Sequence, residues 1–340
     1  MRAVVFPDGI NWAVQDLPEP VPGPNEVLLS VVRTGVCGTD EHLLHGGFIA
    51  KLPLVPGHEI VGKVSALGDG VTRLSLGQNV VVDNASYCGR CGPCSRGEQL
   101  FCSNFHSLGC NAPGGFAEKV VVREDKAYPI GDLAPAVAVF TEPLACVVHG
   151  FDVLDLGPAS SVLVFGAGPT GLLLAQMAAA NGASSVTVAA PTLSKLRLAK
   201  SLGADRVVQL TRGQPQAALS ELRSIAPEGF DAVLEATGAI DLLESAVGLT
   251  RTGGSILVYG VAGENEMARF SPYEIFSREL TIRGSFAQAN CIERSLSILQ
   301  GGRVRTEGII TDTVGFDSFG RALENLHRSE QVKTVFDPEA

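Results

Sequence analysis

The pattern of apolar and polar residues divides the chain into two kinds of text. Up to about residue 140, short apolar runs are broken by Gly, Pro and Asn, and none keeps the 3.6-residue period of a long helix. Runs at 27–32, 60–67, 79–83 and 116–122 have the length and β-branched content of strands. They predict a β-rich, barrel-like domain. Beyond residue 150, continuous apolar strands at 161–165, 185–190, 206–210, 232–235, 255–260 and 280–284 alternate with helix-like stretches at 172–181, 193–202, 216–225 and 242–249. That alternation predicts an α/β domain with a doubly wound parallel sheet. A helix at 289–301, a strand at 308–312, a helix at 319–327 and a strand at 332–336 then return the chain to the first domain. The expected division is 1–148 with 287–340, enclosing 149–286.

Composition narrows the class. At 340 residues, 45% hydrophobic and 18% charged, the chain reads as a well-packed two-domain protein rather than a disordered one. The net charge of −10 opposes nucleic-acid binding, which needs a basic surface. The N-terminus reads as a strand start and no apolar run reaches the ~18 residues of a membrane span. A cytoplasmic location and no membrane partner are therefore expected, in keeping with cysteines that look free.

Four of the eight cysteines, Cys88, Cys91, Cys94 and Cys102, fall in one Gly- and Pro-rich loop within a lobe at 84–112. Two-residue gaps let the backbone fold around a tetrahedral Zn²⁺ that takes four thiolates. The alternative is a disulfide cluster. Three other pieces carry possible ligands: Cys37-Gly-Thr-Asp-Glu-His42, Pro56-Gly-His58-Glu59 and Glu142-Pro-Leu. A thiolate, an imidazole and a carboxylate would form a mixed site with an open position. Singly each piece is weak, because a lone Cys is usually a small buried hydrophobe.

In the second half, the strand at 161–165 runs into Gly166-Ala-Gly168-Pro169-Thr170-Gly171 and then a helix. Strand before and helix after is the context in which such a turn brings a pyrophosphate to a helix N-terminus. Enzymes that prefer NAD normally end the second strand with an acid that bonds the ribose hydroxyls. Here the strand ends Val188-Ala-Ala190-Pro-Thr192, followed by Ser194, Lys195 and Arg197. The missing acid and nearby cations favour NADP(H), although Lys195 and Arg197 could be ordinary solvated charges.

In this order the motifs resemble the zinc-dependent medium-chain alcohol dehydrogenases over nearly the whole chain. Glu59 and Glu142-Pro-Leu are more similar to the polyol and threonine dehydrogenase branches, and the run from Cys37 to Glu59 to arabinitol-type pentitol dehydrogenases. The resemblance implies a Rossmann nucleotide domain beside a GroES-like catalytic domain with a structural zinc lobe. It also implies two zinc ions per chain and a homodimer or homotetramer. Cys37 and His58 would bind the catalytic zinc, with Glu59 and Glu142 alternating as a further ligand. Thr39 would take the substrate proton and His42 would stand at the outer end of the relay, or be a plain loop histidine. The implied reaction interconverts a secondary alcohol of a polyol and its ketone. Alternatives are a threonine, amino-alcohol or inosamine dehydrogenase, or a non-catalytic nucleotide-binding module holding only the structural zinc.

Overall fold

The computed structural model describes residues 1–211 and 216–340. The chain forms two compact units, Met1–Ala145 with Ala289–Gln300 and Thr306–Ala340, and Cys146–Gln288 with Gly301–Arg305. The expected division places 1–148 and 287–340 in the first domain, whereas 146–148, 287–288 and Gly301–Arg305 fall in the second unit. Gly301–Arg305 goes elsewhere because the Gln176 side chain clasps it. Gln176 Nε2 donates to the Arg305 carbonyl at 2.9 Å and Oε1 accepts from the Arg305 N–H at 2.8 Å. Gln176 is buried, so both ends of its amide need such partners.

The first unit is built on a mostly antiparallel sheet in the strand order Ile310–Val314, Lys333–Phe336, Glu26–Gly35, Glu59–Leu67, Asn79–Val82 and Ala127–Pro129, with Lys119–Arg123 also pairing Glu26–Gly35. Its predicted strands are present, two of them shifted: the strand expected at 308–312 spans Ile310–Val314. The strand expected from Phe116 begins at Lys119, because Phe116 and Ala117 are engaged by the N-terminal segment instead. Phe116, Phe319 and Phe336 stack edge-to-face at centroid separations of 5.1 to 6.1 Å. This apolar centre fixes the C-terminal strand beside the central one, and aromatic pairs of this geometry add about 0.5–1.5 kcal/mol each beyond burial.

The second unit is a six-stranded sheet in the order Arg206–Gln209, Ser185–Ala190, Ser161–Phe165, Phe230–Glu235, Thr250–Val258 and Thr281–Gly284, parallel throughout. The first strand in sequence lies in the middle and the order reverses beside it, which is the switch point where such sheets bind ligands. Helices Pro169–Ala180, Leu193–Ser201 and Gln216–Ile225 match the expected periodicity; Thr141–Leu154 and the short Pro272–Ser277 were not anticipated. The stretch Pro135–Leu154 is long and apolar enough by composition to cross a membrane, but 67% of it is buried inside the protein. It is an internal helix whose apolar residues meet protein.

Candidate active site and cofactor recess

The catalytic candidates of the first unit arise from neighbouring strand ends. Cys37 precedes the helix Gly38–Leu44, just after the central strand ends at Gly35. Glu59 opens the adjacent strand, with His58 just before it, and register places Glu59 opposite Gly35. One ligand atom each from Cys37, His58 and Glu59 lie within 4.8 Å of one another. A thiolate, an imidazole and a carboxylate this close form a donor set suited to Zn²⁺. Glu59 Oε2 is buried with no hydrogen-bond partner, as expected of an oxygen reserved for a ligand.

Asp40 ties this group together from behind. Its Oδ2 accepts from the Cys37 N–H at 2.9 Å, and its Oδ1 faces His58 Nδ1 at 3.5 Å. Asp40 is fully buried, holds the Cys37 backbone by a hydrogen bond and stands close to His58 without a hydrogen bond to it. Burial disfavours the charged imidazole of His58, but the Cys110 thiol and Asp40 more than offset it and raise its pKa well above the ordinary value. Cys110 is thus a buried thiol that neighbours His58.

Thr39 Oγ1 lies 3.6 Å from Cys37 Sγ, while His42 is exposed at the far end of the same short helix. Three residues apart, they share a helix face. Glu142 is buried in the first turn of Thr141–Leu154 and lies outside the close Cys37, His58 and Glu59 grouping. Phe48 and Phe286 are 44% and 39% exposed.

Sequence reasoning missed one member of this site. Lys333 is 3% exposed and its Nζ donates to Glu59 Oε1 at 2.6 Å. Burial would lower its pKa, but the charges of Glu59 and then Cys37 outweigh this and raise it. The available signal was a lone lysine opening the short closing strand Lys333–Phe336.

In the lobe, Cys88, Cys91, Cys94 and Cys102 also bring their sulfurs within 4.8 Å of one another. The 3.9 Å between Cys91 and Cys102 exceeds any disulfide bond and matches the edge, about 3.8 Å, of a tetrahedron with 2.3 Å arms. All four are free. Cys102 Sγ accepts from the N–H groups of Cys88 at 3.3 Å and Asn104 at 3.4 Å. The N–H groups of Cys94 and Ser103 help bring Cys91 down to about 6, whereas desolvation and the Cys91 neighbour push Cys94 up to about 12. A bound cation removes that asymmetry, since a coordinating thiol is deprotonated outright.

In the second unit, a recess of about 460 Å³ is lined by Gly166, Gly168, Ala190, Thr192, Lys195 and Thr237, among others. Gly166 has φ +109°, and a Cβ at Gly171 would overlap the Gly166 carbonyl, so both positions require glycine. Pro169 and Thr170 open the helix behind this turn. Ser194 and Arg197 lie on helix Leu193–Ser201 but not on the lining, and Arg197 is exposed. The sequence reading overlooked the opposite margin, Leu210, Thr211, Ala236, Thr237 and Asp241, which comes from later strand ends.

Comparison with known proteins accords with this geometry. Residues 23–132 match the alcohol dehydrogenase GroES-like domain and residues 169–300 the zinc-binding dehydrogenase model. A D-arabinitol dehydrogenase 1 from Uromyces fabae is 38% identical over 99% of this chain and 97% of its own. The chain belongs to the zinc-dependent medium-chain dehydrogenases. It is thus an enzyme, a zinc-dependent oxidoreductase that uses a nicotinamide cofactor. A D-altritol 5-dehydrogenase from Agrobacterium fabrum is 36% identical over 88% of each chain. A zinc-binding dehydrogenase from Sinorhizobium meliloti, solved bound to NADP, has TM-score 0.94 and 32% identity over 99% of both chains. An alcohol dehydrogenase from Escherichia coli, solved with NADH, has TM-score 0.90 and 28% identity over 99% of both.

Proposed function

We propose that this dehydrogenase interconverts a secondary alcohol of a polyol, an arabinitol-type pentitol foremost, and the corresponding ketone, with NADP(H) preferred. The observation that carries the reading is the close set of Cys37, His58 and Glu59 with an unpaired Glu59 oxygen. Arabinitol and altritol enzymes among its relatives support the polyol class.

Cys37, His58 and Glu59 would hold the catalytic zinc, with Glu142 as the alternate carboxylate, and Cys88, Cys91, Cys94 and Cys102 a second, structural zinc. When bound, zinc would supply Lewis acidity that lowers the hydroxyl pKa, and the nicotinamide would supply a hydride acceptor. Asp40 keeps His58 and the Cys37 backbone in place for this work. Thr39 takes the proton released by the substrate hydroxyl, and His42, at the exposed end of the same helix, delivers it to solvent. The Gly166–Gly171 turn receives the cofactor pyrophosphate. Thr192 and Lys195 face its adenosine ribose, where the absence of an acid on the second strand admits a 2′-phosphate. Ser194 and Arg197 supply outer polar and positive character. Assembly as a homodimer or homotetramer is part of the same reading.

A panel of pentitols, hexitols, inosamines and threonine, each run with NAD⁺ and NADP⁺, tests it. The highest kcat/KM is expected for a pentitol with NADP⁺. Turnover confined to threonine or an inosamine overturns the polyol assignment, and metal analysis finding one zinc per chain overturns the two-site assignment.

A further inference from the structure

The closing strand Lys333–Phe336 is buried along its whole length, and its first residue carries an ammonium into the interior. The side chains of Lys333 and Glu59 are 3% and 1% exposed. The two oxygens of Glu59 differ sharply: Oε1 accepts from Lys333 Nζ at 2.6 Å, and Oε2 is buried with no partner. A buried acceptor left unpaired is costly, so Oε2 is the oxygen suited to a ligand. Space for this arrangement comes from the strand between them. Gly35 pairs with Glu59 on one side and Val335 on the other, and a Cβ there would overlap Glu59 Oε2 and approach Lys333 Cε to 3.0 Å. Three adjacent strands thus contribute a carboxylate, a gap and an ammonium to one point behind the donor set.

On the reading that Cys37, His58 and Glu59 hold zinc, we propose that Lys333 is a positioning residue that restrains Glu59 by one oxygen and so sets how firmly the other engages the metal. A carboxylate shared between an ammonium and a divalent cation binds each less strongly than it would bind either alone. Loss of the ammonium hands the whole carboxylate to the metal, and Glu59 no longer yields when substrate arrives. A guanidinium does the reverse, because its planar fork engages both oxygens together.

The test follows the rate at which zinc passes from the holoenzyme to a colorimetric chelator, with zinc content, kcat and KM measured alongside. Lys333→Met is expected to slow release of the catalytic-site zinc about tenfold and to lower kcat more than it changes KM. Lys333→Arg, which keeps the charge, is expected to speed release about tenfold, and a thermal melt checks that the variant is folded. In a Glu59→Gln background both shifts should collapse, since the coupling runs through the carboxylate. A purely structural lysine would not move release in opposite directions. Unchanged or slower release in Lys333→Arg overturns the proposal, as does a Lys333→Met effect that persists with Glu59→Gln. Cys37→Ser separates the two layers. If it releases as much zinc as the unaltered enzyme, the metal-site reading itself is wrong; if it loses one zinc while the Lys333 variants match the unaltered enzyme, only the positioning role is wrong.

Discussion

Gly35 and Glu59 face each other across neighbouring strands, and only the missing side chain of Gly35 leaves room for Glu59 Oε2. Gly35→Ala should therefore overfill a buried site, costing about 1–3 kcal/mol of stability, and push Glu59 away from Cys37 and His58. Thermal melting together with zinc content checks this; normal values of both would show that the carboxylate has another place to go.

Asp40 grips the Cys37 N–H and faces His58 Nδ1. Asp40→Asn should lower zinc affinity about 10–100-fold, the usual cost of losing a group that orients ligands. Chelator titration reads the affinity, and cofactor binding followed by fluorescence should stay unchanged, because Asp40 belongs to the first unit and the cofactor recess to the second.

Cys37→Ser and His58→Ala act on the ligands themselves and should cut turnover by more than that 10–100-fold range. Steady-state rates on the best polyol settle the point, and full turnover in a variant shown to lack the catalytic zinc would contradict the mechanism.

Cys91→Ser should act on the lobe rather than the chemistry. Four thiolates saturate a tetrahedral ion and leave no position for substrate. Melting temperature and zinc content should both fall, while kcat per folded enzyme stays close to normal. An unaltered melting curve would argue that the lobe needs no metal.

Among the described residues, Lys195 is the cation that lines the recess with Thr192. Lys195→Ala should lower kcat/KM for NADP⁺ about tenfold or more and leave NAD⁺ little changed, given about 1.5–3 kcal/mol for a hydrogen bond to a charged group. Equal losses with both cofactors would remove Lys195 from the 2′-phosphate.

Asp231 gives a pH dependence in the second unit. Burial would raise its pKa, but the Ser161 N–H, the Arg251 guanidinium and the Ser161 hydroxyl outweigh burial and hold it below 3.8. Its carboxylate accepts from Ser161 N at 2.7 Å and Arg251 Nε at 2.6 Å. A depressed folded-state pKa means the stabilisation is complete above the unfolded value, about 3.9, and is lost as pH falls through the folded value. Asp231→Asn should therefore reduce stability near neutral pH and flatten the acid limb below about pH 4. Denaturant melts at several pH values would show parallel curves if Asp231 contributed nothing.

Features encoded within a few residues were legible without a structure. The spacing of Cys88, Cys91, Cys94 and Cys102, the turn from Gly166 to Gly171 and the alternation of strands with helices are local patterns set by backbone geometry. The pieces Cys37-Gly-Thr-Asp and His58-Glu59 were legible as ligand types, but not as neighbours. The tertiary fold alone decided that Cys110 lies beside His58, that Gln176 draws Gly301–Arg305 into the second unit, and that Lys333 bonds a residue 274 positions earlier. These depend on strand order and burial, which bring distant residues to one point in the interior. There an unpaired charge is costly, and a lysine that reads as an ordinary surface residue becomes the partner of a buried carboxylate.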